Sequence, residues 1–350
     1  MLTRFIDKFI QRVAFVIMLC MVMAACSDSD DDAVGTDDVS VAFTLTVADA
    51  ASTRAENDGW DDYSPAQDGI LNENLVNTDD IIIAIYDDKG NKVDNVEDLR
   101  VTTVSDPSIT GATMYAITGV WRNAKPNVDK AKRVMVIANS NVSAWGDPSK
   151  LTYDLLSGER KYIPMWGVVK IPEALTLGKQ NKLHNIRMLR AMAKVSVKLR
   201  DDMTDYGYAI GSMTVNNYNT KGYCVPKTFN EVDNTSEVRF ANSLNVLDSH
   251  ADKIALPTTA PLYLPEYDNS GTNPTTITVN LNRNGTLEGT YTLEFRNYDS
   301  DGKPTGSTYP IQRNHYYQYL IYKETGKIIV TLHVRKWNRR IYPENDGIIM

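Results

Sequence analysis

The stretch Val39–Glu56, VSVAFTLTVADAASTRAE, decides how this chain of 350 residues is organised. In its first half, larger apolar side chains alternate with small or polar ones. A period of two is typical of a half-buried β-strand, because successive side chains of a strand point to opposite faces of the sheet. The alternating apolar residues are Val39, Val41, Phe43, Leu45 and Val47. Small residues follow and carry a single basic residue, Arg54, so an easily cleaved linker joins this strand to the rest of the chain.

The composition favours strands and turns over helices. Hydrophobic residues make up 42% of the chain and charged residues 23%, which is typical of a globular protein. Tyr (19) is much commoner than Phe (7), and Asn, Thr, Val and Ile recur throughout. Short apolar runs alternate with turn signals such as Asn284-Gly285 and Asp301-Gly302. The sequence therefore predicts an all-β fold built from antiparallel β-sandwiches, and the chain is long enough for two domains.

Residues 1–25 predict an export signal. Basic residues precede the apolar run Val13–Ala25, which is too short to span a bilayer comfortably. The small residues before Cys26 resemble the bacterial lipobox, with Met23 where Leu is usual. The acidic stretch after Cys26 is typical of a flexible, solvated tether, so we expect lipidation of Cys26 and export to the cell surface. The alternative is an ordinary secretory signal with a chance cysteine.

Charge and motif content exclude several classes of function. The formal net charge is −7 and no processed form is basic, so no nucleic acid is expected as a partner. Of the cysteines, Cys20, Cys26 and Cys224, one thiol remains after export and lipidation, so no internal disulfide is expected. The sequence contains no zinc-ligand spacing, nucleophile elbow or P-loop, so we predict no catalytic residue, metal or cofactor.

Two weaker patterns have ordinary structural interpretations. Asp299–Gly302 resembles the start of a calcium loop but has Thr308 where the loop needs Glu, so we expect a hairpin tip. A sugar-binding platform would need exposed tryptophans, whereas isolated tryptophans at strand ends are more often core residues. The tryptophans are Trp60, Trp121, Trp145, Trp166 and Trp337.

Several stretches together resemble the fimbrillins of Bacteroidales, a family of major and minor fimbrial subunits. Their order covers nearly the whole exported chain. They are the lipobox at Cys26, Thr53–Ala55, Arg133–Asn139, Leu189–Val195, Pro261–Glu266, Tyr309–Tyr317 and Gly326–Val330, with Trp337-Asn338 following. The resemblance implies two tandem transthyretin-like β-sandwich domains and no enzyme activity.

We divide the chain at the ends of these features. Residues 1–25 are the predicted signal peptide, and residues 26–54 are a tether with a removable strand. Residues 55–185 form the predicted N-terminal domain and residues 186–350 the C-terminal domain. Asp147-Pro148 is a helix N-cap followed by proline at the first helical position, so we expect a short helix over 149–156 in the N-terminal domain.

The resemblance implies that an arginine-specific surface protease cuts between Arg54 and Ala55. Loss of the strand would leave an apolar groove with unpaired backbone edges, which readily accept a strand from another chain. A head-to-tail contact of this kind that does not close produces a filament. We prefer the tail 339–350 as the donor, because 328–334 is expected to be the last strand of its own sandwich. The apolar residues of the tail are Ile341, Ile348, Ile349 and Met350.

These expectations describe a structural subunit of a cell-surface fimbria that supports adhesion. Its expected partners are other fimbrial subunits, as a homopolymer or with accessory subunits, the protease, and a host or bacterial surface ligand. Before maturation, a lipid anchor would hold it in the outer membrane. Three alternatives stay open, namely an uncleaved anchor subunit, a tip subunit and a glycan-binding outer-membrane lipoprotein. A hydrolase is the least favoured class, because no acid–base or nucleophile constellation is present.

Overall fold

A computed structural model of the chain describes residues 35–47, 71–105, 113–140, 151–154, 162–171, 173–226, 229–231, 238–240, 250–256 and 261–336. These residues are nearly all β-strand or turn, which confirms the predicted all-β sandwich class. Their helices are the 3-10 helices Leu71–Asn74 and Val128–Lys130 and the α-helix Asp201–Asp205. Within the described ranges, no helix has the length and apolarity needed to cross a membrane.

The first half of the chain forms a nine-stranded sheet. Its strands run in the order β3-β2-β6-β8-β10-β1-β5-β4, with β9 also pairing with β1, while β7 lies outside it. The strands are β1 (Val39–Val47), β2 (Ile81–Tyr86), β3 (Lys92–Asn95), β4 (Glu97–Ser105), β5 (Thr113–Trp121), β6 (Arg133–Ala138), β7 (Thr152–Asp154), β8 (Met165–Lys170), β9 (Gln180–Lys182) and β10 (Ile186–Arg190).

This sheet has its own hydrophobic core. Inward side chains of β2, β5, β6, β8 and β10 join those of β1 in one buried cluster. In β2, Ile83 and Ile85 face this cluster, while Ala84 and Tyr86 face a second cluster shared with the other half of the chain. The continuous apolar run of β2 is explained in this way, because a strand buried on both faces needs apolar residues at every position.

The second half forms a sandwich of two four-stranded sheets. Their orders are β17-β11-β22-β23 and β16-β12-β18-β19, and both contribute to one buried cluster. Five further described strands of this half lie outside these sheets, with β13 paired to β7, β14 to β15 and β20 to β21. The strands of the second half are β11 (Met192–Leu199), β12 (Tyr208–Asn219), β13 (Lys221–Tyr223), β14 (Phe229–Glu231), β15 (Val238–Phe240), β16 (His250–Leu256), β17 (Leu262–Pro265), β18 (Thr276–Arg283), β19 (Thr286–Glu294), β20 (Asn297–Tyr298), β21 (Pro304–Thr305), β22 (His315–Glu324) and β23 (Lys327–Lys336).

Most of the strand pairs are antiparallel, as predicted, but three are parallel. β1 is parallel to β9 and β10, and β11 is parallel to β22. The strands of each parallel pair lie far apart in the sequence, so no tight hairpin turn sets their direction. β23 pairs with β22 as the last strand of its own sheet, which agrees with the preferred interpretation of 328–334.

Two local expectations differ from the structure. Thr152–Asp154, within the predicted helix 149–156, forms strand β7 and pairs with β13 from the second half. Residues 149–150 and 155–156 lie outside the described residues. The helix-start signal was overridden here because a tertiary partner strand was available, and Thr and Tyr favour strands. β10 occupies 186–190, which we assigned to the C-terminal domain, yet it pairs with β8 and β1 of the first sheet. The division of the chain into domains otherwise stays a prediction.

Candidate functional site

β1 lies in the interior of the first sheet and is hydrogen-bonded on both sides. One side pairs antiparallel with β5 along nearly its whole length, from Val39 opposite Trp121 to Thr46 opposite Met114. The other side pairs first with β9 and then with β10. We call the space that β1 fills between β5 and the β9–β10 segment the β1 slot.

The side chains of β1 are buried on both faces. The five apolar residues predicted to face inward are 0–3% exposed and belong to the core cluster. The intervening Ser40, Ala42 and Thr44 are also buried, at 7%, 2% and 3% exposure. The predicted strand is therefore present, but the expectation that one face meets solvent was wrong. The outer face of β1 is therefore covered as well, and it carries the small side chains of Ser40, Ala42 and Thr44.

Two asparagines of the β9–β10 segment bind β1 through their side chains. The Asn181 amide donates to the Ser40 carbonyl oxygen over 3.1 Å. Asn185 accepts from the Thr44 hydroxyl and donates to the Thr46 hydroxyl, both over 2.9 Å. These bonds add sequence-specific contacts to the backbone ladder on the side of the slot where the parallel strands are short.

Two aspartates just before β1 are bound at one end of the slot. Asp38 accepts from the Arg122 guanidinium over 2.9 Å and from the Asn123 backbone N–H over 2.8 Å. The Asn123 N–H bond, followed by the Arg122 bond, lowers the pKa of the Asp38 carboxyl. Asp37 pairs with the Lys125 ammonium over 2.9 Å. The position of β1 along the slot is therefore held by charged contacts at its N-terminal end.

A buried polar cluster joins the first and second halves next to the slot. Glu73, in the 3-10 helix Leu71–Asn74, is 1% exposed and pairs with Lys194 of β11 over 2.8 Å. It also accepts from the Tyr263 hydroxyl over 2.7 Å. Desolvation in this cluster, reinforced by the Glu73 charge, raises the pKa of Tyr263. The paired charges make this helix part of the junction between the two halves.

Arg190 at the end of β10 extends this cluster. Its guanidinium is fully buried and donates to the Glu73 carbonyl oxygen over 2.9 Å and to the Asn314 side chain over 2.8 Å. It also donates to the Asn74 side chain. The resemblance stretch around Arg190 thus meets the one around Asn314 in the folded protein.

A second buried arginine completes the junction. Arg313 is 0% exposed and pairs with Glu266 over 2.7 Å. Its remaining donors bind the carbonyl oxygens of Cys224 over 2.8 Å and Tyr223 over 3.0 Å. Cys224 is buried and forms no disulfide bond among the described residues. The charged side chain is satisfied by several acceptors, which is the condition for placing an arginine in a protein interior.

The segment that follows the 3-10 helix is held by the first half. Asn139 has a φ of 63°, and its side chain bonds Asn77, Leu75 and Ile163 over 2.7–2.9 Å. The Tyr115 hydroxyl accepts from the Val76 N–H over 2.9 Å. The Ala138-Asn139 stretch noted in the sequence therefore fixes the chain between the helix and β2.

The other predicted site residues lie outside the described residues. They are Cys26, Arg54, Ala55, Ile341, Ile348, Ile349 and Met350. Within the described part of the chain, no group of His, Cys, Asp or Glu side chains has the arrangement of a metal site. Asp299 caps a hairpin tip by accepting from the Asp301 and Lys303 N–H groups, both over 2.9 Å, as expected.

The tryptophans that the structure describes do not form a sugar platform. Trp121 and Trp166 are fully buried, and Trp121 donates to Asp94 over 3.0 Å. Among the described residues, the large apolar side chains that are exposed are Tyr206 and Leu287. Core packing, the preferred interpretation, is confirmed for these two tryptophans.

Sequence inspection missed several residues that define the slot and the junction. Glu73 lies in a polar stretch that resembles an ordinary linker, and Arg122 follows a strand as an unremarkable basic residue. Asn185 likewise has no distinctive neighbours in the sequence. Their partners are more than a hundred residues away or on a distant strand, so no local pattern could have identified them.

Comparison with known proteins finds matches among solved structures. No protein-family model and no curated protein matches this sequence. The tip fimbrial protein Mfa3 of Porphyromonas gingivalis, with a C-terminal truncation, matches with 14% identity and a TM-score of 0.49, covering 86% of this chain and all (100%) of that one. A fimbrial assembly protein of Parabacteroides distasonis matches with 13% identity and a TM-score of 0.48, covering 85% of this chain and 96% of that one. These structural neighbours are fimbrial proteins of the bacterial group named by the sequence resemblance.

Proposed function

We propose that this chain is a structural subunit of a cell-surface fimbria that polymerises by strand exchange. In this proposal it is exported as a lipoprotein through Cys26 and cut after Arg54, and a strand of a neighbouring subunit then occupies the β1 slot. The fimbria would carry adhesion to a host or bacterial surface. The sequence resemblance to fimbrillins supports the class of protein, and the position of β1 supports the mechanism.

The single observation that carries the proposal is the way in which β1 is linked to the rest of the first half. This strand is buried and paired on both edges, yet residues 48–70, which contain Arg54, separate it from the next described element. Burial of its five inward side chains would stabilise the sheet by about 7–15 kcal/mol, taking about 1.5–3 kcal/mol for each. The slot therefore needs an occupant, and one backbone cut converts its own strand into a replaceable one.

The contacts of the segment after residue 70 fit a cut at Arg54. The 3-10 helix Leu71–Asn74 is held through Glu73 to Lys194, and the following residues are held by Asn139 and Tyr115. These contacts do not involve β1. The rest of the first half would stay attached to the second half while β1 leaves.

The cut changes the competition for the slot rather than the slot itself. While the linker is intact, β1 is present at a high effective concentration, on the order of millimolar for a flexible tether. After the cut, this advantage is lost, and a strand from another subunit competes on equal terms. Exposed backbone edges then favour pairing with an extended segment of a second chain.

The experiment that tests the proposal is N-terminal sequencing of this chain in filaments from the cell surface. We expect an N-terminus at Ala55 in SDS-resistant ladders. Arg54→Gln should abolish the ladder, while the neighbouring Glu56→Gln should leave it intact as a matched control. An N-terminus at lipidated Cys26 in a membrane-bound monomer would contradict the shaft-subunit assignment and favour the anchor subunit.

A further inference from the structure

Asn185 binds β1 through both ends of its side-chain amide. Its Oδ1 accepts from the Thr44 hydroxyl and its Nδ2 donates to the Thr46 hydroxyl, both over 2.9 Å. Thr44 is 3% exposed and Thr46 is partly buried. A backbone ladder forms with a strand of almost any sequence, whereas this contact needs hydroxyl groups at two alternate positions of the strand.

The other asparagine of the β9–β10 segment makes a contact of a different kind. The Asn181 amide donates to the Ser40 carbonyl oxygen over 3.1 Å, and also to the carbonyl oxygens of Thr176 and Lys179 over 3.0 and 2.9 Å. Every strand has backbone carbonyl oxygens, so Asn181 supports a strand of any sequence in the slot. Of these two side chains, Asn185 is therefore the one that distinguishes one strand from another.

Apolar burial by itself does not distinguish β1 from the same strand shifted by two residues. The inward residues are apolar at every second position, so such a shift again directs apolar side chains toward the core. Around the hydroxyl pair, the outward residues are Ala42, Thr44, Thr46 and Ala48. A shift of two in either direction therefore places one hydroxyl beside Asn185 instead of two, and a shift of one exchanges the two faces of the strand.

Packing against β8 holds Asn185 next to the slot. The following residue, Ile186, is 0% exposed and begins β10, which pairs with β8. Gly167 of β8 lies so close to β10 that a Cβ there would be 2.7 Å from Ile186 and 2.8 Å from the Met188 sulfur. The Asn185 amide therefore stays beside the slot when β1 leaves, and it then loses both of its partners.

We propose that Asn185 is the specificity-determining residue of the β1 slot, which retains a strand that carries hydroxyl groups at the positions of Thr44 and Thr46. This inference rests on the proposed function. The tail 339–350, RRIYPENDGIIM, contains no Ser or Thr, so it offers Asn185 no hydroxyl pair. Leaving a partly buried amide without its partners costs free energy. Asn185 therefore favours β1 over the tail and slows strand exchange after the cut.

The test is a double-mutant cycle on strand binding. The full chain is cleaved at Arg54, and peptides of residues 37–47 compete for the slot with a labelled unsubstituted peptide, followed by fluorescence anisotropy. One competitor is unsubstituted and the other carries Thr44→Val and Thr46→Val. The ratio of their affinities should be about tenfold larger in the unsubstituted chain than in the Asn185→Leu chain. The cycle cancels any other effect of the two valines.

Asn181→Ala is the matched control, because Asn181 binds the strand through a backbone carbonyl oxygen. This change should weaken both competitors by the same factor and leave their ratio unaltered. A peptide of the tail 339–350 should bind the Asn185→Leu chain at least as tightly as the unsubstituted chain. If Asn185→Leu weakens all three peptides equally, Asn185 has only a structural role and the inference is wrong.

The same cycle in the uncut chain separates this inference from the proposed function. Asn185→Leu and the two valine substitutions are made singly and together in the intact precursor, and the free energies of unfolding are compared. Additive effects there would overturn recognition of the hydroxyl pair. Coupling in the uncut chain, combined with no entry of any peptide after cleavage, would support recognition by Asn185 and contradict the proposed strand exchange.

Discussion

The two halves of the described chain build their cores in opposite ways. In the first half, the core is mainly aliphatic. Its central strand β1 precedes residues 48–70, which separate it from the other strands of this half. In the second half, both sheets come from the stretch 192–336, and the core is rich in aromatic rings. Phe295 packs edge-on against Tyr317 and Tyr319, with ring centroids 5.4 and 5.7 Å apart.

The difference teaches how each half depends on chain connectivity. β1 is paired along both edges, so its removal opens two strand edges and the core at once. β23 lies at the edge of its sheet and pairs with β22. A single backbone cut can therefore make the first half dependent on another chain, whereas the second half keeps all the strands of its core.

The largest expected effect is the loss of β1. A chain lacking residues 1–54 should lose about 7–15 kcal/mol of burial free energy in the first half, comparable to the stability of a domain. We expect the amides of the first sheet to lose hydrogen-exchange protection while those of β11, β12 and β22 keep it. Adding a peptide of residues 37–47 should restore protection. Full protection of the first sheet without the peptide would break the comparison.

Alkaline pH should destabilise the second half more than the first, the opposite of the effect of removing β1. Burial raises the pKa values of Tyr267, Tyr317 and Tyr319, and raises that of Tyr298 to about 12. A raised tyrosine pKa contributes stability that is complete below the unfolded value of about 10 and is lost as the pH rises through the folded value. The second half should thus unfold first above pH 10, measured by tyrosinate absorbance and hydrogen exchange.

In the first half, burial likewise raises the pKa of Tyr115. Tyr115→Phe should therefore leave the order of alkaline unfolding unchanged. Unfolding of the first half at lower pH than the second would contradict the contrast between the two cores.

Equal leucine truncations should compare a central strand with an edge strand. Leu45 in β1 is 0% exposed, and Leu332 in β23 is 8% exposed. Leucine-to-alanine changes in a core cost about 2–5 kcal/mol, and the cost grows where the site cannot collapse. We expect the loss of unfolding free energy to lie near the upper end of this range for Leu45→Ala and near the lower end for Leu332→Ala. The losses are measured from the midpoints of denaturant unfolding curves that have equal slopes. A larger cost for Leu332→Ala would reverse the ranking of the strands.

Two tyrosines of β22 should respond in opposite directions to loss of the hydroxyl. The Tyr317 hydroxyl donates to the Pro310 carbonyl oxygen over 2.6 Å and accepts from the Gln312 N–H over 3.0 Å. The buried Tyr319 hydroxyl has no hydrogen-bond partner among the described residues. We expect Tyr317→Phe to destabilise by about 1 kcal/mol and Tyr319→Phe to be neutral or stabilising, measured by thermal unfolding. Equal destabilisation by both changes would show a partner for Tyr319.

The smallest expected effect is at Asp38. The Asn123 N–H and Arg122 lower its pKa, so its contribution to stability is complete above about pH 4 and is lost as the pH falls further. The stability difference between the unsubstituted chain and Asp38→Asn should be constant near neutral pH and should shrink below about pH 4. Asp88→Asn, at an exposed turn of the same half, serves as the control. A difference that does not change with pH would rule out the charged contact.

The parts of the fold that depend on local periodicity were predictable. The alternation in β1 and the apolar run of β2 appear in the sequence because the pleat of a strand repeats every two residues. The same information failed for β7, where a helix-start signal was overridden by pairing with a strand some seventy residues later. Within the candidate site, the strand that fills the slot could be predicted from the sequence. The roles of Arg122 and Asn185, which contact β1, and of Glu73, which joins the two halves, could not.

By itself, the sequence determined the all-β class, the core strand β1, the single basic residue that follows it and the exclusion of metal-site motifs, because each depends on neighbouring residues. Tertiary structure alone decided that β1 is central and buried on both faces, and that Glu73, Arg190 and Lys194 meet at the junction. These features depend on contacts between residues far apart in the chain. Such contacts are selected by the fit and free energy of the whole fold, which no short stretch specifies.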